Sequence, residues 1–340
     1  LTLTAGLNYT ESDKQASATF VNNDVFSALE FDGTPFAALQ PFQLLPPFVN
    51  YPNDVEDGRS NDDDVTYTFR LSWSPDANVS AYAGVSTGFK ASSWNLSRDS
   101  RPLASDLAAL EGAGLAVPNL TTGTRFADPE ESIVYEIGVK AAYESVRVNA
   151  AVFVQEIDGF QSNVFSGTGF NLANAGKQSV DGAEVDITWV PLPSLRVSFA
   201  ATYLDPLYDE FEGALGVDGP TDLSGEKPAG IPEWATTTSA SYNFVLSEGI
   251  AGFIRIEHVY EDEVQVVDNV PASIATREVN TFNASAGLSL NSGIDINLWG
   301  RNLTNDEYLQ SAFPAVAQSG SFSGYPNTPR TYGVTAAYSF

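Results

Sequence analysis

Ile133-Val-Tyr-Glu-Ile-Gly-Val-Lys-Ala-Ala-Tyr143 places Ile133, Tyr135, Ile137, Val139, Ala141 and Tyr143 at alternate positions, with Glu136, Gly138 and Lys140 between them. A two-residue period sends the two sets to opposite faces of a β-strand, one apolar and one able to carry ions. After Glu144-Ser145 the pattern resumes, with Val146, Val148, Ala150, Val152 and Val154 opposing Arg147, Asn149, Ala151, Phe153 and Gln155. Ala183 to Trp189, Leu195 to Tyr203 and Tyr332 to Phe340 repeat it. About twelve such strands are expected, centred near residues 5, 69, 83, 138, 150, 186, 199, 239, 256, 284, 297 and 335.

The connections alternate in length. Short ones, such as Ser74-Pro-Asp-Ala-Asn78, Pro191-Leu-Pro-Ser194 and Asn291-Ser-Gly293, consist of residues that suit tight turns. Long ones span roughly 10–64, 89–129, 157–179, 205–232, 263–276 and 302–329, which is unusual inside a compact soluble domain. Alternation gathers every long loop at one end, as in a transmembrane antiparallel up-and-down β-barrel with periplasmic turns and extracellular loops. Aromatic residues on the apolar face agree. Trp73, Tyr143, Trp189, Phe244 and Phe340 stand at short-turn ends, and Tyr9, Tyr203 and Tyr260 at long-loop ends, as two interfacial girdles require. A soluble β-sandwich would alternate too, but predicts neither loop asymmetry nor girdles.

Composition excludes other classes. The chain has 340 residues and a formal charge of −27, a field that repels phosphate backbones and excludes nucleic acid as a partner. No Cys is present, which removes disulfide scaffolds and thiolate chemistry. No Met is present either, so a chain beginning at Leu1 is expected to be part of a longer product. The one histidine, His258, shares a face with Ile254 and Ile256 beside Tyr260, where packing or hydrogen bonding suits it better than general-base work. No nucleophile elbow or zinc-protease motif occurs, so no catalytic residue, metal site or cofactor is assigned. Asn61-Asp-Asp-Asp64 lacks calcium-loop spacing and is expected to be a solvated loop end.

The polar face carries Arg70, Glu136, Lys140, Arg147, Glu184, Asp186, Arg255, Glu257 and Arg301. An inner wall that is wet, or packed against another domain, tolerates such ions. They could form a shape-holding ladder, dock a plug or guide a solute. The long loops hold Phe36, Phe42, Phe48, Tyr51, Trp94, Phe165 and Phe170, which either stack on a ligand or pack the loops together. Of these, Phe42, Phe48, Tyr51, Trp94, Phe165 and Phe170 are the candidates for solute contact.

Several motifs then resemble one family. Tyr325-Pro-Asn-Thr-Pro-Arg330 with the alternating strand to Phe340 is similar to the terminal signature of TonB-dependent outer-membrane receptors. Trp299-Gly-Arg-Asn-Leu-Thr-Asn-Asp-Glu-Tyr308 resembles the family's asparagine-leucine motif, and Ser132 to Lys140 its Glu-x-Gly-x-Lys strand. Ser86-Thr-Gly-Phe-Lys-Ala91, Asn174-Ala-Gly-Lys177, Gly182-Ala-Glu184 and Pro232-Glu-Trp234 follow in family order. The resemblance implies that residues 1–340 are the C-terminal part of a 22-stranded barrel, without its plug and TonB box. It implies active uptake of a scarce solute, such as a siderophore or saccharide, across the outer membrane of a Gram-negative bacterium. The implied partners are outer-membrane lipid and lipopolysaccharide, the receptor's own plug, the TonB complex and the barrel-assembly machinery, which would read Tyr338 and Phe340. A passive porin-like channel and a barrel hydrolase are the alternatives.

Overall fold

The computed structural model describes residues 1–17, 25–45, 58–96, 103, 105–115, 126–165, 170–315, 318 and 320–340. Twelve long strands follow the periodic segments: β1 (Thr2–Gln15), β2 (Arg59–Trp73), β3 (Val79–Lys90), β4 (Glu130–Ala142), β5 (Val146–Asp158), β6 (Lys177–Leu192), β7 (Leu195–Glu210), β8 (Trp234–Ser247), β9 (Ile250–Gln265), β10 (Thr276–Leu290), β11 (Ile294–Arg301) and β12 (Thr331–Tyr338). Each pairs antiparallel with its neighbours in sequence, giving one twelve-stranded meander. Among the described residues, β1 pairs only with β2 and β12 only with β11, so these strands form a wall rather than a closed ring.

Register joins the apolar sets across the wall. Ile137 lies opposite Ala83 and Val152, Ala183 opposite Val152 and Tyr203, and Leu298 opposite Ala286 and Val334. A slip of one residue would exchange the faces, so this continuity fixes the pairing. The apolar face is open: Leu7 is 77% exposed, Ile137 62% and Val334 67%. Buried apolar residues instead gather in the loops and at the long-loop ends of strands, as with Leu45, Leu110, Leu172, Phe211, Val270 and Ala312. That distribution inverts the soluble pattern. A contiguous exposed apolar surface of this extent fits hydrocarbon as its solvent.

The short turns close tightly. Asp76 Oδ1 accepts the backbone N–H groups of Asn78 and Val79 at 2.7 and 2.9 Å, an Asx turn. Gly293 has φ +83°, and a Cβ there would lie 2.3 Å from the Ser339 carbonyl oxygen. At the other end the strands outrun their expected limits. β1 continues to Gln15 opposite Arg59, and Asn61 to Asp64 lie in β2 rather than in a solvated loop. Charges hide the alternation there, but the ladder needs only backbone groups, and outside hydrocarbon polar side chains do not oppose it. β12 ends at Tyr338 instead of reaching Phe340, although Ser339 N–H still bonds Gly293 O at 2.8 Å.

The long connections hold structure of their own. Hairpins form from Gln161–Phe165 with Phe170–Asn174 and from Leu309–Pro314 with Phe322–Pro326; a short helix spans Leu107–Gly112. Small apolar cores lie within them. One joins Val270, Ala275 and Ala312, another Leu45 and Leu110.

Candidate functional site

The polar parity of the wall carries the ions. Glu136 on β4 accepts an ion pair from Arg70 on β2 at 3.7 Å, and the Arg70 guanidinium lies 4.6 Å from the centre of the Tyr82 ring. The Lys140 ammonium stands 5.8 Å from the centre of the same ring. Tyr82 can lie flat because its cross-strand neighbour is Gly138, where a Cβ would come within 2.5 Å of the ring. Asn149 Nδ2 donates to Asp186 Oδ1 at 3.3 Å, and these residues with Glu184 line a cavity of about 450 Å³. Arg70, Glu136, Lys140, Glu184 and Asp186 thus converge on one station. Arg147 stays apart at the short-turn end, opposite Thr188.

A second cavity, about 460 Å³, lies further along the same face between β9 and β12. Arg255 pairs with Glu257 at 2.8 Å, and Glu257 also accepts Asn283 Nδ2 at 3.1 Å. Arg301 lies 5.7 Å from the Trp299 ring centre. Tyr82, Asn283, Asn297 and Trp299 escape a reading based on charge alone. The detectable signal for Tyr82 and Trp299 is an aromatic at polar parity placed across from a glycine. The ion pairs themselves are about one-third exposed or more on at least one partner, and pairs of that kind contribute about 0–1 kcal/mol each. Their importance is what they present to the cavity.

The loop aromatics sit in three separate contacts. Phe42 packs on Leu45 and Leu110. Trp94 lies 5.1 Å from Phe126, its indole N–H buried without an acceptor among the described residues, beside a cavity of about 550 Å³ lined by Lys90, Asn95, Gln161 and Asn163. Gln161 fastens that region: its Nε2 donates to the carbonyls of Ala91 and Asp128, and its Oε1 accepts from Ser93 Oγ. Phe165 meets Phe313 edge-on at 6.0 Å, and Asn269 Nδ2 donates to its carbonyl at 2.8 Å. Phe170 lies in the backbone hairpin opposite Phe165. Phe48 and Tyr51 fall outside the described residues.

Other groups hold the loop bases. Asp62 Oδ2 accepts from both the backbone N–H and the Oγ–H of the buried Ser92. Lys227 is bracketed by Asp205 and Glu233, whose hydrogen bonds hold its ammonium well above the ordinary lysine range. Asp268 is held above the usual carboxylate value by burial, although its oxygen accepts the Ala229 N–H at 3.2 Å. His258 Nε2 lies 2.9 Å from Asn280 Oδ1, with its ring stacked 4.3 Å from Phe282 on the apolar face.

The sequence profile of the family described as TonB dependent receptor-like, beta-barrel matches residues 1–303. The chain belongs to the TonB-dependent receptor family. That family comprises Gram-negative outer-membrane receptors and transporters rather than enzymes. PiuA of Acinetobacter baumannii, named a probable TonB-dependent siderophore receptor, is 26% identical over 262 residues, 75% of this chain and 32% of that protein. The chain therefore spans about a third of that curated relative's length. The crystal structure of PiuA superposes with a TM-score of 0.62 at 20% identity, over 98% of this chain and 40% of that one. The ferric yersiniabactin receptor FyuA of Yersinia pestis gives 0.61 at 19% identity over 82% and 38% of the two chains. The copper transporter OprC gives 0.62 at 11% over 99% and 46%. At these identities the superpositions show a shared TonB-dependent receptor barrel and nothing finer.

Proposed function

We propose that residues 1–340 are the C-terminal part of a receptor barrel that imports a scarce extracellular solute across the outer membrane, driven by TonB acting on a plug encoded upstream. The observation that carries this reading is the two-faced wall. Its apolar face is continuous from Leu3 to Val334, and its opposite face holds ions around two cavities. A lipid-facing surface needs the first, and a lumen that receives a domain or a solute needs the second. Lipopolysaccharide would contact the outer girdle, and the barrel-assembly machinery would read Tyr338 and Phe340.

Among the loop aromatics, Trp94 is the better candidate for solute contact, because it borders a cavity that Lys90, Asn95, Gln161 and Asn163 also line; Phe165, edge-on to Phe313 in a loop hairpin, is a candidate beside it. Phe42 serves its loop core first, and Phe170 remains a candidate. Siderophore and copper are the cargoes named for relatives. The charge of −27, much of it in the long loops and the strand ends that lead into them, favours a neutral or cationic complex, a saccharide or a ligand bridged by divalent cations over a multiply anionic chelate. The test is import by cells carrying the complete receptor with and without its upstream TonB-contacting segment. Loss of import with surface binding retained supports coupled uptake; undiminished import means a passive channel.

A further inference from the structure

We infer that Arg301 is an oxyanion-binding station in the lumen wall, built to receive a carboxylate. The inference rests on reading the polar face as lumenal. In the 460 Å³ cavity, Glu257 is satisfied by Arg255 and Asn283, so that pair is neutral within itself. Arg301 has no carboxylate at ion-pair distance among the described residues, and its guanidinium rests instead near the Trp299 ring. Trp299 is a fixed platform because it packs against Gly333, where a Cβ would stand 2.6 Å from its Cζ2. Stacking leaves the edge of the guanidinium, with its forked N–H donors, free for a planar carboxylate. Further down the same strand, Asn297 Oδ1 is buried with no donor. The cavity therefore lacks two things, an anion at one end and a donor at the other, and one carboxylate-bearing molecule with N–H or O–H groups supplies both.

The carboxylate has two sources: an acidic side chain of the domain that fills the lumen, or a free hydroxy acid in transit. Carbodiimide coupling separates them. The complete receptor carrying Arg301→Lys is treated with a water-soluble carbodiimide, alone and with added glycolate, and the modified peptides are sequenced by mass spectrometry. An amide from that lysine to an acidic residue outside residues 1–340 identifies a protein source; an amide to glycolate identifies a free anion. Either yield should exceed that of an Arg196→Lys control on the same face by about fivefold or more. Equal coupling at the two positions, or coupling only to Glu257, overturns the inference. Should the variant not assemble, the unsubstituted receptor answers with phenylglyoxal: the occupant, or added glycolate, must slow modification of Arg301 relative to Arg196 by a similar factor, and equal rates overturn it. Surface labelling of Asp63→Cys reports separately on the barrel reading itself.

Discussion

Replacing Asn302 with Ala should loosen the corner where β11 leaves the wall. Asn302 is 6% exposed and has φ +47°, a left-handed conformation that asparagine tolerates and alanine resists. Its Nδ2 donates to the carbonyls of Asp306 and Thr328 at 2.8 and 3.2 Å, and its Oδ1 accepts the Asp306 N–H at 2.8 Å. Asp306 O keeps a second donor, Asn327 Nδ2, at 2.9 Å. Truncation therefore strands Thr328 O and Asp306 N–H, each costing about 1 kcal/mol at this partial burial. The left-handed backbone adds about 1–2 kcal/mol. The sum is about 3 kcal/mol of local stability, or about a hundredfold faster amide exchange at Asp306 and Asn327 at roughly 1.4 kcal/mol per decade. Hydrogen exchange followed by mass spectrometry on the complete receptor measures this directly. Asn302→Gly removes the same hydrogen bonds but not the backbone conformation, so it should exchange about fivefold slower than Asn302→Ala. Exchange in Asn302→Ala within about threefold of the parent would refute the assignment of this side chain as the corner's fastening.

Three further outcomes follow from single features. A Cβ at Gly182 would lie 2.2 Å from Phe153 Cζ, so Gly182→Val should cost about 1–3 kcal/mol in urea titrations of the folded barrel, and adding Phe153→Ala should recover part of it; no recovery would deny the cross-strand clash. Deleting Phe340 should reduce membrane insertion far more than Tyr9→Ala, whereas equal insertion would leave Phe340 only a girdle role. Asp268 has its pKa raised in the folded loop, so the fold retains a proton that the opened loop releases. Stability of that loop contact is then greatest below the ordinary carboxylate pKa and declines as pH rises through the raised value. Asp268→Asn should flatten the decline, seen as pH-corrected exchange at Ala229; an unchanged slope would assign it to other groups.

The wall was legible because alternation is a property of single strands. Residues 133–154 display both faces without any partner, and loop alternation supplies topology without register. What stayed hidden lies where side-chain chemistry and backbone pairing part company. Asp62 to Asp64 look like a solvated run because charge masks their period, yet their backbones complete a ladder with residues 10–12. Tyr82 and Trp299 look like girdle aromatics by type, while their parity and the opposing Gly138 and Gly333 send them to the polar face. The loop contacts of Phe42, Trp94 and Phe165 depend on which loops touch, and sequence spacing carries no information about that.

In the proposed barrel all the long loops lie outside the cell and the short turns in the periplasm. Residues 1–340 contain no cysteine, so once any cysteine elsewhere in the complete receptor is replaced, single cysteines at Asp63 and Asn78 can be labelled on intact cells with a membrane-impermeant maleimide. Strong labelling is expected at Asp63→Cys, and labelling at Asn78→Cys only after the outer membrane is permeabilised. Equal labelling of both on intact cells, or labelling of Asn78→Cys alone, would contradict it.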